Sequence, residues 1–143
     1  MKKYVVVTFA SLVVGFALMQ LVPYRVSNPP VQQEPPWDSP RTRALAVRAC
    51  FDCHSNQTKH HWYMNVAPAS WWITHHVREG RSALNFSEWQ GPSSDQAREA
   101  AEAVAEGSMP PSSYTWFGRH PSATLTKQER DELAQGLRNS LGN

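Results

Sequence analysis

The chain has 143 residues, which allows one modest domain with short extensions. Its formal net charge of +2 is small and does not indicate a nucleic-acid-binding protein. Two cysteines are too few for a disulfide framework, and six tryptophans suit a small core, whether they pack on one another or around a bound apolar group.

An apolar N-terminal segment is the first predicted element. Lys2 and Lys3 precede an uncharged run from Tyr4 to Val22. A helix of about 19 residues would span about 28 Å, close to the hydrocarbon core of a bilayer. The polar members of the run are Thr8, Ser11 and Gln20. Positive residues stay on the cytoplasmic side, which places the rest of the chain outside. A cleaved signal peptide is the alternative, but its apolar region is shorter and no A-x-A site follows the run. We therefore predict an uncleaved single-pass anchor over residues 1–22.

Residues 23–40 form a proline-rich linker. Proline removes an amide donor and restricts φ, so this segment should be extended and semi-rigid. It would lift the following domain off the membrane, and disorder would have nearly the same consequence. The folded domain is predicted over residues 41–143. The linker prolines are Pro23, Pro29, Pro30, Pro35, Pro36 and Pro40.

A helix leads into the cysteine motif. Ser39 is suited to cap this helix, with Pro40 at its first position. The helix ends at a C-x-x-C-H motif, the attachment signature for a c-type haem. In that chemistry Cys50 and Cys53 add to the two vinyl groups of one porphyrin, and His54 is the proximal ligand of the iron.

Two other chemistries use a C-x-x-C pair. A redox dithiol is one, although a thioredoxin-like motif belongs in a βαβ pattern that this chain does not show. Half of a zinc site is the other, because Cys50, Cys53 and two histidines would complete four ligands. The histidines available are His54, His60, His61, His75, His76 and His120.

A second helix is predicted from Pro68 to Gly80, followed by an ordered loop over residues 81–90. His75 and His76 lie on this helix. Adjacent helical residues point about 100° apart, so the pair does not chelate one ion well. We interpret both as solvated or core-edge histidines.

Two further helices complete the domain. Ser93 is suited to cap a helix over residues 95–106, which Gly107 ends. Its acidic face is interpreted as solvated rather than catalytic. Thr126 and Glu129 form a capping box for the last helix. The acidic face consists of Glu99, Glu102 and Glu106, and the last helix carries an apolar stripe of Leu133, Leu137 and Leu141.

That stripe needs an apolar partner, and a small domain offers few. We expect the last helix to cross the helix that precedes the C-x-x-C-H motif. Leu45 or Ala49 should then meet Leu133 or Leu137.

Met109 is the candidate for the sixth iron ligand. It lies fifty-five positions after His54, far enough for the chain to reach the opposite haem face, and Pro110 and Pro111 stiffen its loop. A buried methionine that fills a gap is the alternative. Two further alternatives are an open sixth site and ligation of the iron by a histidine, which would be one of His60, His61, His75, His76 and His120. An aromatic cluster of Tyr114, Trp116 and Phe117 follows, with Arg119, His120 and Pro121 after it.

The region from Cys50 to Leu137 resembles a small bacterial haem-binding domain family related to mono-haem cytochromes c. The linker is not part of this resemblance, and Lys59-His60-His61 departs from the aromatic and proline expected before Trp62. The resemblance implies covalent haem, a cytochrome-c-like helical fold and an extracytoplasmic location. The matching segments are residues 49–56, Trp62-Tyr63, 67–71, Glu79-Gly80-Arg81, 84–87, Met109-Pro110-Pro111 with Tyr114, His120-Pro121 and Leu125-Thr126.

These patterns together predict an all-α protein in which one cytochrome-c-like domain encloses one covalent haem c. It would be held in the bacterial cytoplasmic membrane by its N-terminal helix, with the domain in the periplasm or extracellular space. His/Met ligation suits one-electron transfer, and we find no nucleophile–base pair or phosphate loop that indicates an enzyme. The alternatives are a haem sensor or peroxidase-like protein with a displaceable sixth ligand, and a zinc or dithiol module. The redox partner is not identified by the sequence.

Overall fold

The computed structural model describes residues 1–91, 93–116 and 120–142. Within these ranges the regular structure is helical, apart from an isolated parallel bridge between Gln33 and Glu88. This confirms the predicted all-α class and the N-terminal helix. The α-helices are α1 (Lys2–Met19), α2 (Pro40–Ala49), α3 (Phe51–His54), α4 (Ala69–Ala83), α5 (Ser94–Glu106), α6 (Ser112–Thr115) and α7 (Lys127–Leu141), with 3₁₀ turns at Trp62–Asn65 and Pro121–Ala123.

The helix boundaries follow the capping residues in the sequence. Ser39 accepts a hydrogen bond from the Thr42 amide at 3.1 Å and caps α2. Ser93 caps α5 in the same way. Thr126 and Glu129 form the predicted capping box of α7, which satisfies amides that lack a partner within the helix. α5 ends at Gly107, whose φ of 82° is a left-handed conformation that favours glycine.

α7 crosses α2 and packs along α5, and this contact forms the core. The three leucines of the predicted stripe are at most 1 % exposed, and they share one buried cluster with Leu45 and Ala49. At the crossing, a Cβ on Gly136 would overlap with the side chain of Thr42, so the two helices meet closely there. The predicted contact between the first domain helix and the last is confirmed.

The predicted end of the second helix at Gly80 is wrong. α4 continues through Gly80 to Ala83, so the loop begins at Leu84 rather than at Arg81. The glycine does not end the helix but allows another segment to approach it closely. A Cβ at this position would lie 2.6 Å from the carbonyl oxygen of Cys53. α4 therefore packs directly on the C-x-x-C-H motif at its only glycine.

Residues 23–39 of the proline-rich segment form no helix, as their composition predicts, but the segment lies against the domain. The Gln32 amide donates to the Ser87 carbonyl at 2.9 Å, and the Trp89 amide donates to the Gln33 carbonyl at 3.0 Å. The Trp37 ring lies 5.3 Å from that of Phe86. Much of the segment assigned to the linker is therefore packed on the helical domain.

α1 is long and apolar enough to cross a membrane, by length and composition. Its side chains are exposed apart from Met19, which is partly buried. The side chain of Gln20, which caps the C-terminus of α1, contacts the domain. It accepts a hydrogen bond from the Ala67 amide at 2.9 Å and donates one to the Ala67 carbonyl at 3.2 Å.

Candidate functional site

The C-x-x-C-H motif folds into a single helical turn. The Cys50 amide donates to the Ala46 carbonyl at 2.8 Å, which ends α2. The Cys50 carbonyl then accepts from the amides of Cys53 at 3.1 Å and His54 at 2.9 Å, which forms α3. One turn of backbone thus brings both thiols and the imidazole to the same cavity.

The surroundings raise the pKa of both thiols. Burial, aided by the neighbouring Cys53, raises the pKa of Cys50 to about 12. Burial and the carboxylate of Asp52 raise the pKa of Cys53 to about 11, against an opposing effect of Arg81. A reactive redox dithiol needs a lowered thiol pKa, so this environment does not favour the dithiol alternative.

The ring of His54 is held in one tautomer. Its Nδ1 lies 3.1 Å from the Leu84 carbonyl oxygen. A carbonyl only accepts, so Nδ1 carries the proton and Nε2 keeps its lone pair. Burial lowers the pKa of His54, although the backbone carbonyls of Leu84 and Gly80 oppose this shift. A neutral imidazole with a fixed Nδ1–H is the form that binds a metal through Nε2.

A largely apolar cavity of about 420 Å³ opens beside this turn. Met109 lines it together with Cys50, Cys53 and His54, so the structure brings the four predicted site residues to one space. Helices α2, α4, α5 and α7 supply the walls. The wall residues include Ala49, Gly80, Ala83, Phe86, Ala100, Ala103, Val104 and Leu137.

Met109 lies on the loop between α5 and α6. Its amide donates to the Ala103 carbonyl at 3.0 Å, which holds the loop against the end of α5. The residue remains 39 % exposed. It is therefore not a gap-filling core methionine, in contrast to Met64, which is 4 % exposed.

Tyr114 ties α6 to the C-x-x-C-H turn. Its hydroxyl donates to Oδ2 of Asp52 at 2.5 Å, sixty-two positions away in the chain. Burial and this hydrogen bond raise the pKa of Tyr114, so the phenol keeps its proton. Sequence reasoning placed Tyr114 in an aromatic cluster and missed this contact. Phe117 of that cluster and the following Arg119 lie outside the described residues.

A second cavity of about 270 Å³ shares Asp52, Cys53 and Tyr114 with the first. Its other walls come from the 3₁₀ turn at residues 62–65 and from the outer face of α4. The wall residues include Lys59, His61, Tyr63, Met64, Trp72, Ile73, His76 and His120.

The rival histidines occupy several different places. His76 lines both cavities, and its Nδ1 lies 2.8 Å from the Trp72 carbonyl. His61 and His120 line the second cavity, where the His120 ring stacks 4.0 Å from Tyr114. His75 lies 3.2 Å from Glu79. His60 is exposed. In the described part of the chain no three histidine, cysteine or acidic side chains converge as metal ligands.

A polar network behind the C-x-x-C-H turn was not predicted. Asn56, in the polar turn after the motif, is 3 % exposed. Its amide donates to the Ser87 hydroxyl at 2.9 Å, and its side chain donates to Glu88 at 2.8 Å. Arg81 donates to the carbonyls of Ser55 at 2.8 Å and Ser27 at 2.7 Å. Such a network could have been expected only from the general rule that the polar groups of a buried turn need hydrogen-bond partners.

Residues 14–139 match the model of a protein family described as a haem-binding domain. The match extends beyond the region from Cys50 to Leu137 and includes the proline-rich segment, so the expectation that this segment lies outside the family is wrong. Its packing on the domain gives the physical reason. No curated protein and no solved structure shows a significant match.

Proposed function

The chain belongs to the haem-binding domain family, and we propose that this haem protein is a membrane-anchored c-type electron carrier. One observation carries the proposal. Two thiols, an imidazole and a thioether from distant parts of the chain line one apolar cavity. These groups are the donor set of a covalently attached haem with His/Met axial ligation.

The residues present fit that cofactor. Cys50 and Cys53 would each add S–H across one vinyl group, which forms a C–S bond and a C–H bond and needs no oxidant. His54 would bind the iron through Nε2, since Nδ1 is committed to Leu84. Met109 would supply the sixth ligand from the loop across the cavity.

A bound haem would supply a one-electron Fe(III)/Fe(II) couple, and His/Met ligation raises its reduction potential. The chain's own contribution is positional and electrostatic. Phe86, Val104 and Leu137 give the cavity apolar walls, and the hydrogen bond to Leu84 would hold the imidazole in one orientation.

The proposed location rests on α1, which is long and apolar enough to cross a membrane. Lys2 and Lys3 would stay in the cytoplasm, and the domain would lie in the periplasm or outside the cell, where c-type haem is found. Cell fractionation and N-terminal sequencing test this. A mature N-terminus that begins after residue 22 would overturn the anchor, although not the export.

An optical spectrum of the purified protein, with a pyridine haemochrome, tests the cofactor. We expect a Soret band and two thioether links, whereas a zinc or dithiol module would have no Soret band. Cys50→Ser should leave a single link. Haem that acid–acetone extracts fully from the wild type would contradict covalent attachment.

The sixth ligand has a matched pair of variants. Met109→Ala should abolish the far-red sulfur-to-iron charge-transfer band of the oxidised protein, lower the potential and open the iron to carbon monoxide. Met64→Ala is the control, because Met64 lines the second cavity only. A band that survives Met109→Ala, or is absent from the wild type, would show that Met109 is not the ligand.

The exposure of Met109 favours one second candidate. A ligand that is 39 % exposed on a loop leaves the iron more readily than a buried one. A haem sensor or peroxidase-like protein needs such a displaceable sixth ligand. Titration of the reduced wild type with carbon monoxide separates the two functions, because a carrier resists binding and a sensor binds readily.

A further inference from the structure

We propose that the domain rests directly on the membrane through a surface that we call the tryptophan face. This face consists of the exposed side chains of Lys59, Trp62 and Trp72, beside the point where the buried Ala67 contacts Gln20. Its partner is the headgroup layer of a bilayer that contains anionic lipids. The proposal rests on the proposed membrane anchor, and it reverses the expectation that the proline-rich segment lifts the domain away.

The first observation is where α1 meets the domain. Gln20 lies two positions before the end of the apolar run and pairs with both backbone groups of Ala67, at 2.9 and 3.2 Å. A hydrocarbon core is about 30 Å thick, and headgroups add roughly 5–8 Å on each side. If α1 spans the bilayer, Gln20 lies near the edge of the hydrocarbon. Ala67 must then lie in the headgroup layer.

The second observation is two exposed indole rings beside this contact. Trp62 is 79 % exposed and Trp72 is 57 % exposed, one five positions before Ala67 and the other five positions after it. The chain between Ala67 and each tryptophan is partly helical, so the Cα atoms of both tryptophans lie within about 13 Å of the Cα atom of Ala67. Tryptophan is enriched at membrane interfaces because its ring is apolar and its N–H is polar. The lipid headgroups would cover two large side chains that water now surrounds.

The third observation is positive charge near the end of the apolar run and beside the tryptophans. Lys59 lies three positions before Trp62 and is exposed. Arg78 lies on α4, with its guanidinium 4.7 Å from the ring centroid of Tyr24, two positions after the apolar run ends. The neighbouring acid, Glu79, pairs with His75 at 3.2 Å. Basic side chains at this depth are attracted to anionic headgroups.

The proline-rich segment does not provide a long tether. Ser27 accepts a hydrogen bond from Arg81 at 2.7 Å, and Asn28 donates to the Thr58 carbonyl at 2.8 Å. Only residues 23–26 remain between the apolar run and the first of these contacts, a reach of about 18 Å even when fully extended. The domain is therefore held close to the point where α1 leaves the bilayer.

The orientation has a consequence for access to the site. Trp72 belongs to the tryptophan face and also lines the second cavity, which shares Cys53 and Asp52 with the larger one. The bilayer would therefore cover part of the entrance to the second cavity. Met109, which is 39 % exposed, lines the larger cavity together with residues of α5.

Photo-crosslinking of the haem-loaded full chain tests the proposal. Trp62→p-benzoylphenylalanine and Trp72→p-benzoylphenylalanine would be reconstituted separately in nanodiscs of phosphatidylglycerol and phosphatidylethanolamine, irradiated and analysed by mass spectrometry. Lys127→p-benzoylphenylalanine is the control, because the Lys127 side chain is 91 % exposed at the start of α7. We expect lipid adducts several-fold above the control at positions 62 and 72.

Adduct yields at positions 62 and 72 that do not exceed the yield at 127 would overturn the proposal. Adducts to a second copy of the chain in place of lipid would overturn it too, because the face would then be a protein interface. The failures of the underlying proposals look different. A protein that does not stay in the nanodisc contradicts the anchor, and a protein without a haem spectrum contradicts the electron carrier.

Discussion

The two sides of the large cavity are built differently. The motif side, α3 with α4 packed behind it, is held by backbone hydrogen bonds within the turn, by the close contact at Gly80 and by the bond from His54 to Leu84. The loop side carries Met109, which is 39 % exposed. The two proposed ligands therefore differ in their surroundings: the imidazole of His54 is hydrogen-bonded to Leu84, whereas Met109 is partly exposed on its loop. Three substitutions test that contrast, beginning with the largest expected effect, and a smaller pH effect at the start of α7 follows them.

Leu137→Ala removes a side chain that packs in the core and also lines the large cavity. Leu137 is 1 % exposed and lines the cavity, so the substitution removes core contacts and leaves a void. We expect the free energy of unfolding to fall by about 2–5 kcal/mol. Denaturant unfolding of the full chain in detergent, followed by circular dichroism, measures this. Gln135→Ala on the exposed face of α7 is the control, and a change near zero for Leu137→Ala would make α7 peripheral.

Gly80→Ala tests the rigidity of the motif side. The added Cβ would lie 2.6 Å from the Cys53 carbonyl oxygen, so α4 or the motif turn must shift. We expect a loss of about 1–3 kcal/mol in unfolding free energy, as for other overpacked sites. Less haem per protein should accompany it. Gly15→Ala is the control, because open space surrounds that position in α1. Equal effects at the two glycines would contradict a rigid motif side.

Tyr114→Phe tests the attachment of the loop side. It removes the hydroxyl that donates to Asp52 and keeps the ring that stacks on His120. We expect a loss of about 1–2 kcal/mol, since the acceptor is charged but only partly buried. Carbon monoxide should bind the reduced protein faster while the proximal ligand stays in place. Tyr4→Phe in α1 serves as the control. An unchanged rate would show that α6 does not restrain Met109.

The smallest expected effect is the pH dependence of the α7 cap. The Thr126 amide donates to Glu129, and Arg48 lies 2.8 Å from it, which lowers the pKa of Glu129 to about 2. A lowered carboxyl pKa contributes stability above the unfolded value of 4.5. That contribution is lost as the pH falls toward the folded pKa. Thermal unfolding between neutral and acidic pH should therefore lose less stability in Glu129→Gln than in the wild type.

Local signals in the sequence predicted the elements well. Ser39 with Pro40 marks the start of α2, and Thr126 with Glu129 marks the start of α7, because capping depends on residues within one turn. The leucine stripe predicted the face of α7 that is buried, since helical periodicity is a property of the chain itself. The prediction at Gly80 failed because the role of this glycine depends on a residue that is distant in the chain. Glycine ends helices and also allows close packing, and only a neighbouring element decides between the two.

The same difference between local and long-range interactions explains which parts of the candidate site were predicted. The C-x-x-C-H motif is contiguous, so its thiols and imidazole were predicted from the sequence, and the assignment of their roles stays a prediction. Met109 was predicted from its spacing and its prolines, and the fold brings it to the same cavity. The bond from Tyr114 to Asp52 and the network around Asn56 and Arg81 were missed, because their partners are far apart in the chain.

The sequence by itself determined the helical class, the capped ends of the helices, the apolar N-terminal helix and the identity of the candidate ligands. These depend on interactions between near neighbours in the chain. Only the tertiary structure decided that the proline-rich segment packs on the domain, that α1 ends against Ala67 and that Gly80 faces Cys53. Such contacts join residues separated by tens of positions, and their geometry exists only once the helices have packed around a common core.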